Sequence, residues 1–434
     1  MQITVVGAGY VGLVTAVCRA AMGDRISLVE RSAERLGELE AGRIPISEPG
    51  VAELFEDHRG AISLFDRIPP PDPGSLTFIA VGTPIDAGES DLSQLVSALD
   101  GLRPWPESHV SVRSTLPPGT SSRLPALLGR SDGRHISTNP EFLRQGSAVD
   151  DFNHPSRIIL GRFPETTEEH LALLDSAYAG VEAPRMTVEI GSAELIKNVS
   201  NAFLALKLSF VNEVAGLAEE YGADVDEILK GISYDPRIGS SYMRPGLGFG
   251  GSCLPKELQV LASAGRKQGL PMHVARAAAL VNDEQQDRFA RSILRALDRT
   301  PSRIGLLGLA FKADTDDLRG SPAATVARRL LAAGHEVAAF DPVVDSGRAV
   351  AEVPGLIIKE DPAGVFDGAD AIVVGTEWPQ FKTLDWSALG GRMRGALLFD
   401  GRNLLDPSVI GAAGLTYRGV GRAVTRPIAA GVGS

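Results

Sequence analysis

The sequence predicts an α/β chain with two doubly wound parallel-sheet domains joined by a long central helix. Three observations carry this. The chain opens as strand, glycine turn and helix, ITVVG running into VGLVTAVCRAAMG. Residues 192–221 form an unbroken stretch with helical apolar spacing. The strand–helix alternation then restarts at residue 303. Such alternation gives parallel sheets with helices on both faces.

Each element follows in order. ITVVG is a buried-strand run, and VGLVTAVCRAAMG has helical spacing with a glycine stop. RISLVE is the second strand, and 76–84 and 109–119 are further strand-to-loop units. The proline-rich run at 68–74 reads as a loop inside this domain. In the long helix, apolar residues recur at Leu195, Val199, Phe203, Phe210, Val214 and Leu217, and Gly222 ends it. Roughly 45 Å is long for one domain; such a helix joins domains or carries a dimer interface. From 303, RIGLLGLAF, SPAATVARRLLAAG, HEVAAFDP and GADAIVVGTEW read as strand, helix, strand, strand. The expected domains are 1–190, 191–295 and 296–422, with a loose tail at 423–434.

Composition narrows the function. A chain of 434 residues fits two or three domains. The net charge of −11 argues against nucleic acid or an anionic membrane as the main partner, yet leaves room for a local basic pocket. Two cysteines give no disulfide framework, so a reducing cytoplasm is the default. The N-terminus lacks a basic leader region, Arg19 interrupts its apolar run, and no run of about 18 apolar residues predicts a membrane span.

Gly7, Gly9 and Gly12 form a G-x-G-x-x-G fingerprint between a strand and a helix. Gly7 allows the tight turn, Gly9 lets a pyrophosphate approach the backbone, and Gly12 lets helix pack on strand. Glu30 ends the next strand and suits a ribose diol, favouring NAD, while Arg31 and Arg35 keep NADP open. The second repeat lacks the glycine spacing, so a phosphate there needs cations. Lys312, Arg319 and Arg402 are candidates, although each alone is more often a surface charge.

The run GFGGSCLPKE at 248–257 holds Cys253. Pro255 fits a first helical turn, which puts the thiol beside a helix N-terminus and near Lys256. Both would lower a thiol pKa. Cys18, in an apolar helix, reads as core. Lys197 and Asn201 lie four apart on the long helix and share a face. Glu141 follows a proline-marked turn and by itself decides nothing.

Taken together, GAGYVGLVTA, GRIPISEPG, VGTP, VRSTLPPGT, NPEFLRQGSAVDDFNHPSRIILG, KNVSNAFLA, DPRIGSSYMRPGLGFGGSCLPKE and GLAFKADTDDLRGSP resemble the UDP-glucose/GDP-mannose dehydrogenase family over nearly the whole chain. The resemblance implies four-electron oxidation of a nucleotide sugar from C6 alcohol to carboxylate with two NAD. It implies Cys253 as nucleophile, Lys197 as the cation for developing oxyanions, Asn201 as a donor beside it, and Glu141 and Thr115 as water-handling groups. Glu141 would be general base for thioester hydrolysis. Glu257 stands where the family usually has Asp, and Gln145 where it usually has Glu. Tyr10, Val11, Glu30, Arg35, Thr83, Thr115, Gln145, Lys256 and Arg319 match cofactor contacts alongside the three glycines. Glu141, Phe142, Leu143, Arg144, Lys197 and Asn201 match substrate contacts. So do Tyr242, Met243, Arg244, Pro245, Gly246, Gly250, Lys312 and Arg402, with Arg237 resembling an arginine given by a neighbouring subunit.

UDP-glucose is the first substrate expected, with GDP-mannose and dTDP-glucose as alternatives. A two-electron hydroxy-acid dehydrogenase would need no cysteine. A non-catalytic NAD sensor would make Cys253→Ala silent. The set Cys253, Lys197, Asn201 and Glu141 disfavours both. By fold analogy the protein is a homodimer through the long helix.

Overall fold

The computed structural model describes residues 1–86 and 88–427. The chain divides into two units: residues 1–200 with 259–271, and residues 201–258 with 272 onward. Of the tail expected to be loose, 428–434 lie outside the described residues. Thr425, inside it, bridges antiparallel to Tyr417.

The first unit is built on an eight-stranded sheet among the described residues. Its strands are β1 (Gln2–Val6), β2 (Arg25–Val29), β3 (Ile62–Phe65), β4 (Leu76–Ile79), β5 (His109–Val112), β6 (Ile136–Thr138), β7 (Ile158–Arg162) and β8 (Arg185–Glu189). Their spatial order is β8-β7-β6-β5-β4-β1-β2-β3. Neighbours run parallel except β6 and β7, which pair antiparallel. β1 and β4 bury nearly every side chain because both faces are covered. Ile3, Val5, Leu28 and Phe78 pack with Leu13, Val14 and Val17 of the helix Tyr10–Ala21. Val6, Val29, Ile79, Val110 and Val112 pack with Leu95 and Leu99 of the helix Ser93–Asp100. Strand order reverses between β1 and β4, and the crevice beyond their carboxyl ends is where such sheets bind ligands.

The second unit carries a six-stranded parallel sheet among the described residues. Its strands are β9 (Arg303–Leu307), β10 (Glu336–Phe340), β11 (Ile357–Ile358), β12 (Ala371–Val374), β13 (Leu397–Asp400) and β14 (Thr416–Gly419). The order is β11-β10-β9-β12-β13-β14, reversing between β9 and β12. Ser321 caps the helix Pro322–Ala332 by accepting from the Ala324 N–H, with proline in the first turn. Val211 and Ala215 pack with Phe289, Ala290 and Ile293 of the helix His273–Ala296 against Ile304, Leu306 and Phe399 of this sheet.

The long helix runs Ile190–Tyr221, 32 residues, two more at its start than the spacing predicts. Gly222, at φ +66°, ends it, and the Ala223 N–H returns to the Ala218 carbonyl. The part up to Ser200 counts with the first unit and the rest with the second. No described helix is long and apolar enough to cross a membrane.

Candidate active site

In the first unit the fingerprint glycines stand at the sheet's switch point. Gly7 has φ +101°, and a Cβ there would lie 2.8 Å from the Ala80 carbonyl oxygen. A Cβ on Gly12 would lie 1.7 Å from the Gly7 oxygen, so only glycine lets this helix start against the turn. Gly9 has open space where a Cβ would point. The turn therefore presents bare backbone at a helix N-terminus, which fits a pyrophosphate. Glu30 is buried after β2. Its two oxygens accept from the Ala8 N–H at 3.1 Å and the Ser32 N–H at 2.8 Å, and Arg35 approaches it at 3.4 Å. Thr83, after β4, donates to the Thr115 carbonyl at 2.8 Å. Switch-point geometry thus gathers the glycines, Tyr10, Val11, Glu30, Arg35, Thr83 and Thr115.

The loop after β6 and the start of the long helix form a second cluster in this unit. Lys197 Nζ lies 3.1 Å from Glu141 Oε1, with side chains 6% and 9% exposed. The other Glu141 oxygen accepts from the Leu143 N–H at 2.6 Å. Both Lys197 and Arg157 face the Phe142 ring, at 5.3 and 3.7 Å from its centroid. Burial lowers the Arg157 pKa. The Arg144 guanidinium forks onto Asp151, with Nη2 at 2.6 Å. Gln145 sits in the same loop.

In the second unit the glycines before Cys253 have individual reasons. A Cβ on Gly246 would lie 2.8 Å from the Gly401 oxygen, and one on Gly250 2.1 Å from the Gly320 oxygen. Gly248 and Gly251 adopt φ +107° and +79°. The Leu247 N–H donates to the Gly401 carbonyl and the Gly251 N–H to the Arg319 carbonyl, at 2.8 and 2.9 Å. Asn282 holds Phe249 by both its N–H and its carbonyl. Backbone thus lies on backbone, and this seating delivers Cys253 to the start of the helix Leu254–Lys267. The Glu257 N–H donates to the Cys253 carbonyl at 2.9 Å, closing the first turn. Cys253 is exposed and Cys18 buried. Glu257 is 2% exposed, and Lys256 lies in the first turn.

The candidate cations differ in their engagement. Arg319 forks onto Asp317, which holds its pKa above the ordinary arginine value. Arg402 donates to the Gly375 carbonyl at 2.9 Å, the Phe311 carbonyl at 2.7 Å and the Gly248 carbonyl at 3.4 Å. It therefore clamps the cysteine loop to the strand ends. Lys312 lies over the Phe311 ring at 5.8 Å. Asp341, after β10, accepts from the Leu309 and Ala310 N–H groups at 2.7 and 3.0 Å, as Glu30 after β2 accepts from the Ala8 N–H in the first turn. Arg237 is on the surface, its side chain 87% exposed and paired with Asp235.

Three family descriptions match in order. Residues 1–181 match the UDP-glucose/GDP-mannose dehydrogenase family, NAD binding domain; 191–284 match its central domain; 305–407 match its UDP binding domain. The chain is 37% identical to the UDP-glucose 6-dehydrogenase of Pseudomonas aeruginosa, over 97% of this chain and 98% of that protein. It is 35% identical to the UDP-glucose 6-dehydrogenase of Rhizobium meliloti, over 97% and 100%. Among solved structures it is similar to a UDP-glucose dehydrogenase from the archaeon Pyrobaculum islandicum, with a TM-score of 0.83, 35% identity and coverage of 97% and 98%.

The chain belongs to the UDP-glucose/GDP-mannose dehydrogenase family.

As a member of that family it is an NAD-dependent nucleotide-sugar dehydrogenase, with the family's NAD binding domain over the glycine turn and its UDP binding domain over β9 to β13. Several residues that support the site are absent from the sequence expectations. Glu48 accepts from the Tyr10 hydroxyl at 2.6 Å and from the Gly146 and Ala148 N–H groups at 2.6 and 2.7 Å. Its signal was the GRIPISEPG run. Glu194 and Asn198, flanking Lys197, hold the loop after Thr115. Glu194 accepts from the Gly119 and Ser121 N–H groups, and Asn198 donates to the Leu116 carbonyl. Burial pushes the Glu194 carboxyl up while those N–H groups pull it back. Their one-turn spacing from each other was visible, but a carboxylate serving backbone seventy-odd residues earlier leaves no local trace.

Proposed function

We propose that this protein oxidises UDP-glucose to UDP-glucuronate, reducing two NAD per sugar, through a covalent intermediate on Cys253. The observation that carries the covalent step is the exposed thiol at the start of a helix, set there by a glycine loop laid on the 319–320 and 401 backbone. The relatives named UDP-glucose 6-dehydrogenase, matched over nearly their full length, support the substrate.

NAD, when bound, supplies the hydride acceptor. The chain's own residues do the rest. The first oxidation leaves an aldehyde at C6. The Cys253 thiol adds to it: Sγ bonds to C6, and the carbonyl oxygen becomes a hydroxyl. The thiohemiacetal loses hydride and proton to become a thioester. Water adds to the thioester, the C–S bond breaks, and carboxylic acid and thiol are released. Lys197 is the cation for oxyanion stages, with Asn201 a donor four residues along the same helix. Glu141, held by Lys197 and the Leu143 N–H, takes the proton of the attacking water, with Thr115 orienting it. Glu257 supports this network. Tyr242 to Gly246, Gly250, Lys312 and Arg402 hold the nucleotide sugar. Phe142, Leu143 and Arg144 contact it from the loop after β6.

The protein works as a homodimer through the long helix, and Arg237 acts in the neighbouring subunit's site. Val199, Phe203, Phe210 and Leu217 are each more than half exposed on one helix, an apolar stripe that water disfavours. A compartment that keeps thiols reduced suits Cys253.

The deciding experiment counts NADH formed per sugar consumed with UDP-glucose, GDP-mannose and dTDP-glucose offered separately. Two per sugar with UDP-glucose alone is expected. One per sugar would overturn the four-electron reading, and turnover only with another nucleotide sugar would overturn the substrate.

A further inference from the structure

The second unit holds a cavity of about 230 Å³ bounded by the C-terminal turn of the long helix, the helix His273–Ala296 and the β13–β14 edge. Arg288, Arg418 and Arg422 line it, with Glu219 as the acid among its lining residues. Phe289, Phe399 and Val424 give it apolar walls. Arg288 is met by Glu219 at 2.9 Å and Arg422 by Asp226 at 2.6 Å. Arg418 is placed differently. It stands opposite Phe399 in the sheet, its guanidinium lies 5.8 Å from that ring, and its Nε is buried without a hydrogen-bond partner among the described residues. A buried guanidinium nitrogen left unmatched favours whatever acceptor can reach it. Three guanidinium groups converging on one cavity match the oxygens of a phosphate. The volume suits a ligand smaller than a drug-sized molecule or a dinucleotide.

The cavity is wired to the glycine loop inside the same unit. Arg288 Nε donates to Gln285 Oε1 at 3.0 Å, and Gln285 Nε2 donates to the Gly246 carbonyl at 2.6 Å. The Gly246 N–H in turn donates to Asn212 at 2.8 Å. On the other wall, Val420 exchanges two 2.8 Å hydrogen bonds with Asn403, the neighbour of Arg402. An anion that draws Arg288 away from Glu219 changes the donor geometry of Gln285, and with it the hold on Gly246.

We propose that this cavity is an effector site for a phosphate monoester bearing a small flat apolar group, coupled through Arg288 and Gln285 to the loop at 242–250. The coupling rests on the reading of that loop as substrate-binding; the binding does not.

The test titrates phenyl phosphate into the full-length protein by calorimetry with UDP present at saturation, so that the nucleotide site is filled. One saturable event is expected. Arg418→Gln should weaken it about tenfold or more, the scale of a lost hydrogen bond to a charged group, while UDP binding stays unchanged. Inorganic phosphate should bind more weakly than phenyl phosphate for want of the apolar group. In steady-state assays, phenyl phosphate should shift the KM for the nucleotide sugar in the wild type and not in Arg418→Gln, whose basal rate stays normal. Gln285→Leu should still bind phenyl phosphate but lose the KM response. If Arg418→Gln lowers the melting temperature, Val424→Glu at the exposed wall should exclude the anion in both assays. Binding that vanishes when UDP is present, or that is equal in the variants and the wild type, would overturn the site. Binding with no KM response in the wild type would overturn the coupling. Failure of the two-NADH stoichiometry with binding intact would count against the proposed function and leave the effector site standing.

Discussion

At the residue scale, two cysteines of the same type have opposite fates. Cys18 is enclosed by apolar neighbours, and burial pushes its thiol up to about 12. Cys253 stands exposed at a helix start. Cys253→Ala should abolish acid formation, and Cys253→Ser should stall after the first oxidation with at most one NADH per sugar. Quantifying NADH and uronate from the same reaction checks both. Glu141→Gln keeps the side chain's shape and removes its basicity. Turnover should fall about 10²- to 10⁴-fold, the usual worth of a general base, with acyl-enzyme accumulating, which intact-mass spectrometry would show. Cys253 and Lys197 were legible because each is an uncommon residue in an unusual local setting. Tyr10 was legible only as a neighbour of the glycines. Its hydroxyl partner, Glu48, is 38 residues away and emerges only when the chain is folded.

At the element scale, the glycines separate into those the fold needs and those a ligand needs. Gly250→Ala would put a Cβ 2.1 Å from a backbone oxygen that cannot swing aside. Its melting temperature should drop, with a cost of about 1–3 kcal/mol, and activity should fall as Cys253 is displaced. Gly9→Ala meets nothing within 4 Å. It should melt like the wild type while the KM for NAD rises several-fold, because the methyl group intrudes only on a bound pyrophosphate. Both glycines appear in the sequence as motif letters. Only the distances tell a packing glycine from a binding one. The two strand–turn–helix repeats make the same point. Both were legible as repeats, but the acid Asp341 serving the second turn's N–H groups was not.

At the scale of the whole molecule, a buried histidine pair makes stability depend on pH. His109 and His170 share an Nδ1 to Nδ1 contact of 3.1 Å, and His170 Nε2 meets the Ser137 hydroxyl at 2.8 Å. Burial first, then the neighbouring His109, His135 and Arg130, push His170 down to about 3. His109 is lowered too, mainly by burial. An unfolded histidine titrates near 6.5. Between those values the unfolded chain takes up a proton that the folded chain refuses. Stability is therefore intact above about pH 6.5 and falls as the pH drops toward 3, by at most about 1.4 kcal/mol per pH unit for each such histidine. Urea melts from pH 7.5 to 4 should show the slope, and His170→Gln should flatten it. A second prediction concerns assembly. Phe210→Glu, at a position 54% exposed, should give monomers by sedimentation if the helix stripe is the dimer face, whereas an unchanged mass would remove that face from consideration.

The sequence by itself determined the alternation of strands and helices, the dinucleotide turn with its acidic partner, the long helix and the position of the thiol. These depend on spacing within a few residues, where steric and hydrogen-bond rules act directly. Tertiary structure alone decided the pairing of Glu141 with Lys197, the service of Glu48 and Glu194 to distant loops, the carbonyl partners of Arg402 and the cavity holding Arg418. Each of these satisfies a buried charge or a backbone group, or shapes a space, with residues far apart in the chain. That match is set by which segments the sheets bring together, and no local pattern records it.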